Sequence, residues 1–164
     1  MQNTVNISRE LKATRRRQSA DTLPVQKEDF AGRRILLVED NEINMEIART
    51  LLEFRNASVD GACNGQQAVE MFRSSPQNHY DAVLMDVRMP VMDGIAATQA
   101  IRGLDRPDAK TIPIIAMTAN AFAEDVKKSL DVGMNAHLSK PVDLNALEQT
   151  LQRFRYEPSA EQPQ

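Results

Sequence analysis

Four polar positions in this 164-residue chain each close a short apolar run. Glu39-Asp40 follow Ile35-Leu36-Leu37-Val38, Asp86 follows Ala82-Val83-Leu84-Met85, Thr118 follows the run 112–117, and Lys140 stands just past 135–138. If they meet in space, three carboxylates would crowd one crevice, where like charges raise each other's pKa unless a cation sits among them. Oxygen ligands without His or Cys favour Mg²⁺, with Mn²⁺ as the alternative; Mg²⁺ takes one or two protein carboxylates and keeps water and phosphate oxygens. Lys140 then reads as a point charge that holds a phosphoryl oxygen or pairs with Asp86, and Thr118 as a hydroxyl donor to another oxygen. Carboxylate, metal, cation and hydroxyl together form a phosphoryl-transfer set.

Each residue alone has an ordinary role. Asp40 would cap a helix, Asp86 sit in a loop, Thr118 form a turn and Lys140 face water. Independent roles of that kind do not place all of them at strand ends on one edge of a sheet.

The elements that would position them follow from the hydrophobic pattern. From Arg33 onward, short apolar runs alternate with longer amphipathic stretches in five units, which predicts an α/β fold: a flavodoxin-like (βα)5, doubly wound, with helices on both faces of a five-stranded parallel sheet of order 2-1-3-4-5. The central runs read as strands buried on both faces, with weaker strands at 57–62 and 135–138. In such a sheet ligands bind beyond the strand carboxyl ends, where strand order reverses, and that brings Asp40 and Asp86 together. Asn41 can cap the first helix, whose Ile43, Ile47, Leu51 and Phe54 recur at helical spacing and are expected to lie on the sheet. The last helix is capped by Asp143 and carries Leu144, Leu147, Leu151 and Phe154. The one before it has Phe122, Val126 and Leu130 and stops at Gly133.

Residues 1–32 lack apolar periodicity and read as a polar, disordered linker, with a short helix over 7–17 capped by Ser8 as one option. Residues 33–154 form the single domain that this length allows, and 155–164 a polar tail that leaves no room for a C-terminal effector domain. No apolar stretch approaches the roughly 20 residues of a membrane span, and no signal-peptide core is present, so a cytoplasmic chain is expected. Cys63 is the sole cysteine, which excludes an intrachain disulfide and a cysteine metal cluster; it reads as a small, semi-buried residue. Net charge is −3 overall, but residues 1–34 carry eight Lys/Arg against four Asp/Glu and the remainder twelve against nineteen. The negative body argues against nucleic-acid binding. No glycine-rich loop followed by Lys-Ser or Lys-Thr appears, which disfavours nucleotide binding.

At these residues the sequence closely resembles the receiver domains of bacterial response regulators and hybrid sensor histidine kinases. The matching text is Ile35-Leu36-Leu37-Val38-Glu39-Asp40-Asn41, Leu84-Met85-Asp86-Val87-Arg88-Met89-Pro90-Val91-Met92-Asp93-Gly94, Ala116-Met117-Thr118-Ala119 and Leu138-Ser139-Lys140-Pro141, in that order. The resemblance implies that Asp86 is the phosphoacceptor for a phosphohistidine. It implies that Asp40, Asp86 and the backbone carbonyl of Arg88 ligate Mg²⁺, with Glu39 assisting through water. Thr118 and Lys140 would contact the phosphoryl group, the bond before Pro141 would be cis, and Arg88 and Asn120 would influence how fast water attacks the acyl phosphate.

In members of this family Thr118 moves toward the phosphoryl group while an aromatic residue on the fifth strand turns inward, remodelling the surface of the fourth helix, fifth strand and fifth helix, a face also suited to a homodimer. Here that position is His137, either a tolerated ring substitute or a group that makes the switch sensitive to pH near neutrality. The implied partner is a histidine kinase phosphoacceptor domain or a histidine phosphotransfer protein. The polar linker followed by Asp29-Phe30-Ala31-Gly32-Arg33-Arg34 looks like the join to a kinase core, so the C-terminal part of a hybrid kinase is expected, and a single-domain regulator acting by protein binding is the alternative. A receiver promotes its own phosphorylation and dephosphorylation without being a turnover enzyme. A flavodoxin-type FMN carrier is disfavoured because Glu39-Asp40 would repel a phosphate without a metal, and an aspartyl phosphatase because Val87 and Arg88 supply no second acid.

Overall fold

The computed structural model describes residues 30–119 and 123–155. The 7–17 helix, Asn120, Phe122 and residues 156–164 of the expected tail lie outside them, and Arg155 is the last residue of a helix. Five strands, β1 (Arg34–Val38), β2 (Ser58–Ala62), β3 (Ala82–Asp86), β4 (Ile114–Thr118) and β5 (Ala136–Ser139), form one parallel sheet in the order β2-β1-β3-β4-β5. The helices are α1 (Glu42–Phe54), α2 (Gly65–Ser74), α3 (Gly94–Arg102), α4 (Pro107–Thr111), α5 (Ala123–Asp131) and α6 (Leu144–Arg155). The expected flavodoxin-like order is thus the one observed. Among the described residues, no helix is long and apolar enough to cross a membrane.

Strands β1, β3 and β4 are buried almost throughout, because each side chain must face one of two helical layers. One core lies between the sheet and α2 and α3, with Phe72, Val83, Met85 and Ile101; the other holds Leu37, Leu84, Ile115, Leu147 and Leu151. The short helix α4 was not anticipated. Pro107 sits in its first turn, where a missing N–H costs nothing, and it delays the fourth strand, which starts at Ile114.

Three expectations need correction. Ile43 and Phe54 on α1 are 70% and 80% exposed and Ile47 half exposed, while Ala48 and Leu52 are the buried residues of this helix. The helix carries two apolar stripes, and the short Glu39-Asp40-Asn41 connection turns the one with Ala48 and Leu52 onto the sheet. Leu130 on α5 is likewise half exposed. Cys63 is exposed rather than semi-buried, in the loop that leads into α2.

Phe30, ahead of the expected domain start, is buried. Its N–H donates to the Arg55 carbonyl at 2.7 Å, and the Arg55 guanidinium donates to Glu148 on α6 at 3.2 Å.

Candidate functional site

The carboxyl edge of the sheet gathers the polar strand ends. Glu39 leaves β1 with its N–H bonded to the Ala62 carbonyl of β2, so its buried carboxylate is aimed across the edge. Asn41 opens α1 by accepting the Asn44 N–H at 3.0 Å, and Asp40, between them, stays exposed to water. Asp86 is the last residue of β3 and is 3% exposed; its Oδ1 accepts the Arg88 N–H at 3.2 Å. One carboxylate oxygen from each of Glu39, Asp40 and Asp86 lies within 4.8 Å of the others.

Lys140 reaches into this cluster from the loop after β5. Its Nζ stands 2.8 Å from Asp86 Oδ2 and 2.8 Å from Glu39 Oε2. The Lys140–Pro141 peptide is cis. Thr118, at the end of β4, is buried, and its carbonyl accepts the Lys140 N–H at 2.9 Å, tying the two strand ends together. His137 on β5 and Arg88 in the loop after β3 are both exposed.

Burial, reinforced by the Glu39 carboxylate, pushes the Asp86 carboxyl up to about 7 against the lowering influence of Lys140. Burial works against the Lys140 ammonium, but its hydrogen bonds to Asp86 and Glu39 outweigh that and raise its pKa. One ammonium therefore faces three carboxylates in a partly buried crevice. The set fits a hard divalent cation: it is oxygen-only, charge-deficient by the measure of its own lysine, and open to water beside Asp40. A carboxylate beside a cation site and an ammonium can act as a nucleophile toward phosphorus.

A cleft next to the crevice is lined by Asn44, Ile47, Ala48, Met117, Lys140, Pro141 and Val142. Sequence reasoning misses this cleft, since it expects Ile47 to lie on the sheet; the two-stripe pattern of α1 is the available signal.

The family model for the response regulator receiver domain matches residues 35–152. The osmosensing histidine protein kinase SLN1 of Saccharomyces cerevisiae is 35% identical over 158 residues, covering 92% of this chain and 13% of that protein. Histidine kinases from rice and Arabidopsis thaliana are matched in the same way, the chain spanning about 15% of their length. Among solved structures, the receiver domain of sensor histidine kinase PA1611 from Pseudomonas aeruginosa PAO1, which holds a magnesium ion in its active-site cleft, is 41% identical with a TM-score of 0.68, covering 76% of this chain and 98% of that one. A complex of the Saccharomyces cerevisiae phosphotransfer protein Ypd1 with the receiver domain of Ssk1 matches at 33% identity and a TM-score of 0.66, covering 76% and 90%. Five parallel strands in receiver order, four motifs at their ends and these matches agree: the chain belongs to the response regulator receiver domain family.

Proposed function

We propose that Asp86 accepts a phosphoryl group from a phosphohistidine, within the receiver part of a hybrid histidine kinase phosphorelay. The observation that carries this reading is the crevice in which Lys140 is hydrogen-bonded to both Asp86 and Glu39 while Asp40 stands beside them at the water's edge. An Asp86 carboxylate oxygen attacks phosphorus in line, the P–N bond breaks, and the imidazole leaves with the electron pair, so that an acyl phosphate forms on Asp86. Lys140 holds a phosphoryl oxygen in place of the Asp86 oxygen that it contacts at rest, and the Thr118 hydroxyl donates to another. Asp40, Asp86 and the Arg88 carbonyl would hold Mg²⁺, with Glu39 assisting, and the ion would supply the positive charge that offsets the repulsion between these carboxylates and the incoming phosphate.

The donor, a histidine kinase domain or a phosphotransfer protein, reaches Asp86 from the carboxyl edge of the sheet. The exposed Ile43 and Ile47 on α1 and the cleft beside Lys140 support an apolar contact with it there. Exposed His137 and Leu130 support β5 and α5, with α6, as the face that carries the response and any self-association. In this reading Arg88 and Asn120, two residues beyond Asp86 and Thr118 in the sequence, modulate hydrolysis.

The test is incubation with acetyl phosphate and Mg²⁺ followed by intact mass, for wild type and Asp86→Ala. An alkali-labile adduct of one phosphoryl group, dependent on Mg²⁺ and absent from the variant, is expected. Labelling of Asp86→Ala, or of wild type in chelator, would falsify the assignment.

A further inference from the structure

The loop that joins Asp86 to α3, residues 87–93, is pressed from two sides by backbone. At its far end the Gly94 N–H donates to the Val87 carbonyl at 2.9 Å, and a Cβ on Gly94 would lie 2.2 Å from the Asp86 carbonyl oxygen. On its flank the Gly65 N–H, at the start of α2, donates to the Met92 carbonyl at 3.0 Å. A Cβ on Gly65 would lie 2.4 Å from that same oxygen, 2.9 Å from the Ala97 Cβ and 3.0 Å from the Asp93 carbonyl oxygen. Two of these neighbours are main-chain atoms and the third a methyl group fixed to the α3 backbone, so no side-chain rotation makes room. Gly65 is the first residue of an ordinary helix, capped by Asn64 through the Gln67 N–H, and its own backbone does not call for glycine. The close approach does.

The clamped loop is under strain. Val91, a β-branched residue, has φ +70° and is largely exposed, so neither its own preference nor packing holds it there. The adjacent Met92 has its N–H bonded to the Pro90 carbonyl and its own carbonyl bonded to Gly65. We propose that Gly65 is a positioning residue for the phosphoacceptor loop: it pins Met92 so that the loop holds the Arg88 carbonyl in place beside Asp86. The inference rests on the reading that this carbonyl completes the Mg²⁺ site. Reciprocity then requires that whatever the Gly65–Met92 contact contributes to Mg²⁺ affinity, Mg²⁺ returns to the contact.

The experiment compares wild type, Gly65→Ala and Leu52→Ala, the last a core truncation on the opposite face of the sheet that lowers stability without touching the loop. Mg²⁺ affinity is read from amide NMR shifts. Gly65→Ala is expected to bind Mg²⁺ about tenfold more weakly, the scale of a lost supporting contact around a metal ligand. Leu52→Ala is expected to bind like wild type. In wild type, hydrogen exchange of the Gly65 amide is expected to slow on Mg²⁺ addition, a readout that needs no variant to fold. An unchanged affinity in Gly65→Ala, an equal loss in Leu52→Ala, or a Gly65 amide indifferent to Mg²⁺ would each overturn the positioning role while leaving the metal site standing. A wild type that binds no Mg²⁺ would overturn the site and the positioning role together.

Discussion

Arg106, near the amino-terminal edge of the sheet, has each of its three nitrogens occupied, whereas Lys140, at the carboxyl edge, is one ammonium among three carboxylates. The Arg106 guanidinium donates to both Asp108 oxygens at 2.7 Å and to the carbonyls of Phe72, Ser75 and Pro76 at 2.9 Å, with its Cζ over the Phe72 ring, 4.8 Å from the ring centroid. Asp108 in turn accepts the Asn78 N–H. These bonds staple the α2–β3 connection to the α3–β4 connection, and their hydrogen-bond needs are met from within. The carboxyl edge leaves its charge unbalanced. The contrast separates two uses of charge in one small domain: a matched set that stabilises the fold, and a mismatched set that a ligand can complete.

The largest break in that comparison should come from Arg106→Ala. It strands the Asp108 carboxylate and several loop carbonyls, and a destabilisation of about 3 kcal/mol is expected in urea titrations. Asp86→Asn should act in the opposite sense, stabilising the Mg²⁺-free protein by about 2 kcal/mol near neutral pH because it removes one of the crowded charges. A loss of stability on Asp86→Asn would mean that the site is not strained by its carboxylates.

The two edges should also respond to acid with opposite signs. Asp86 is held above its unfolded value, so the folded protein takes up the proton first, and without metal stability falls as pH rises from about 4 to about 7. The Asp108 carboxyl is held below the usual range, first by its hydrogen bonds from Arg106, so its contribution is present above about pH 4 and is lost as pH falls further. Thermal unfolding in chelator should therefore show a maximum in mildly acidic solution. Asp86→Asn should flatten the high-pH limb and Asp108→Asn the low-pH limb; the reverse pattern would refute the assignment of the limbs. The smallest effect is expected from Val91→Gly, which relieves the left-handed backbone and should raise stability by about 0.5–1 kcal/mol in the same assay.

The parts legible in the sequence were those whose signal is local. Continuous apolar runs marked β1, β3 and β4, and the polar residues that end them marked the crevice, because strand direction in a parallel sheet sends every carboxyl end to one edge. The buried face of α1 was not legible. Ile43, Ile47 and Phe54 and the pair Ala48 and Leu52 satisfy helical periodicity equally well, and only the geometry of a three-residue connection chooses between them. The Arg106 staple was invisible because its carbonyl partners carry no side-chain signature. The role of Gly65 was invisible for a related reason: its close approach to Met92 depends on how two loops meet and leaves no trace in either one.

Arg55 is bonded through its main chain to Phe30 and through its side chain to Glu148, and that shared fastening bears on how the domain can be joined to others. It lies one step past the end of α1, whose first turn starts beside Asp40, so thirteen residues of helix, about 20 Å, separate the chain's point of entry from the acidic crevice. Phe30, the first of the described residues, is thus fastened at the edge of the sheet opposite the one that carries Asp86, so anchorage and acidic crevice use separate ends of the domain.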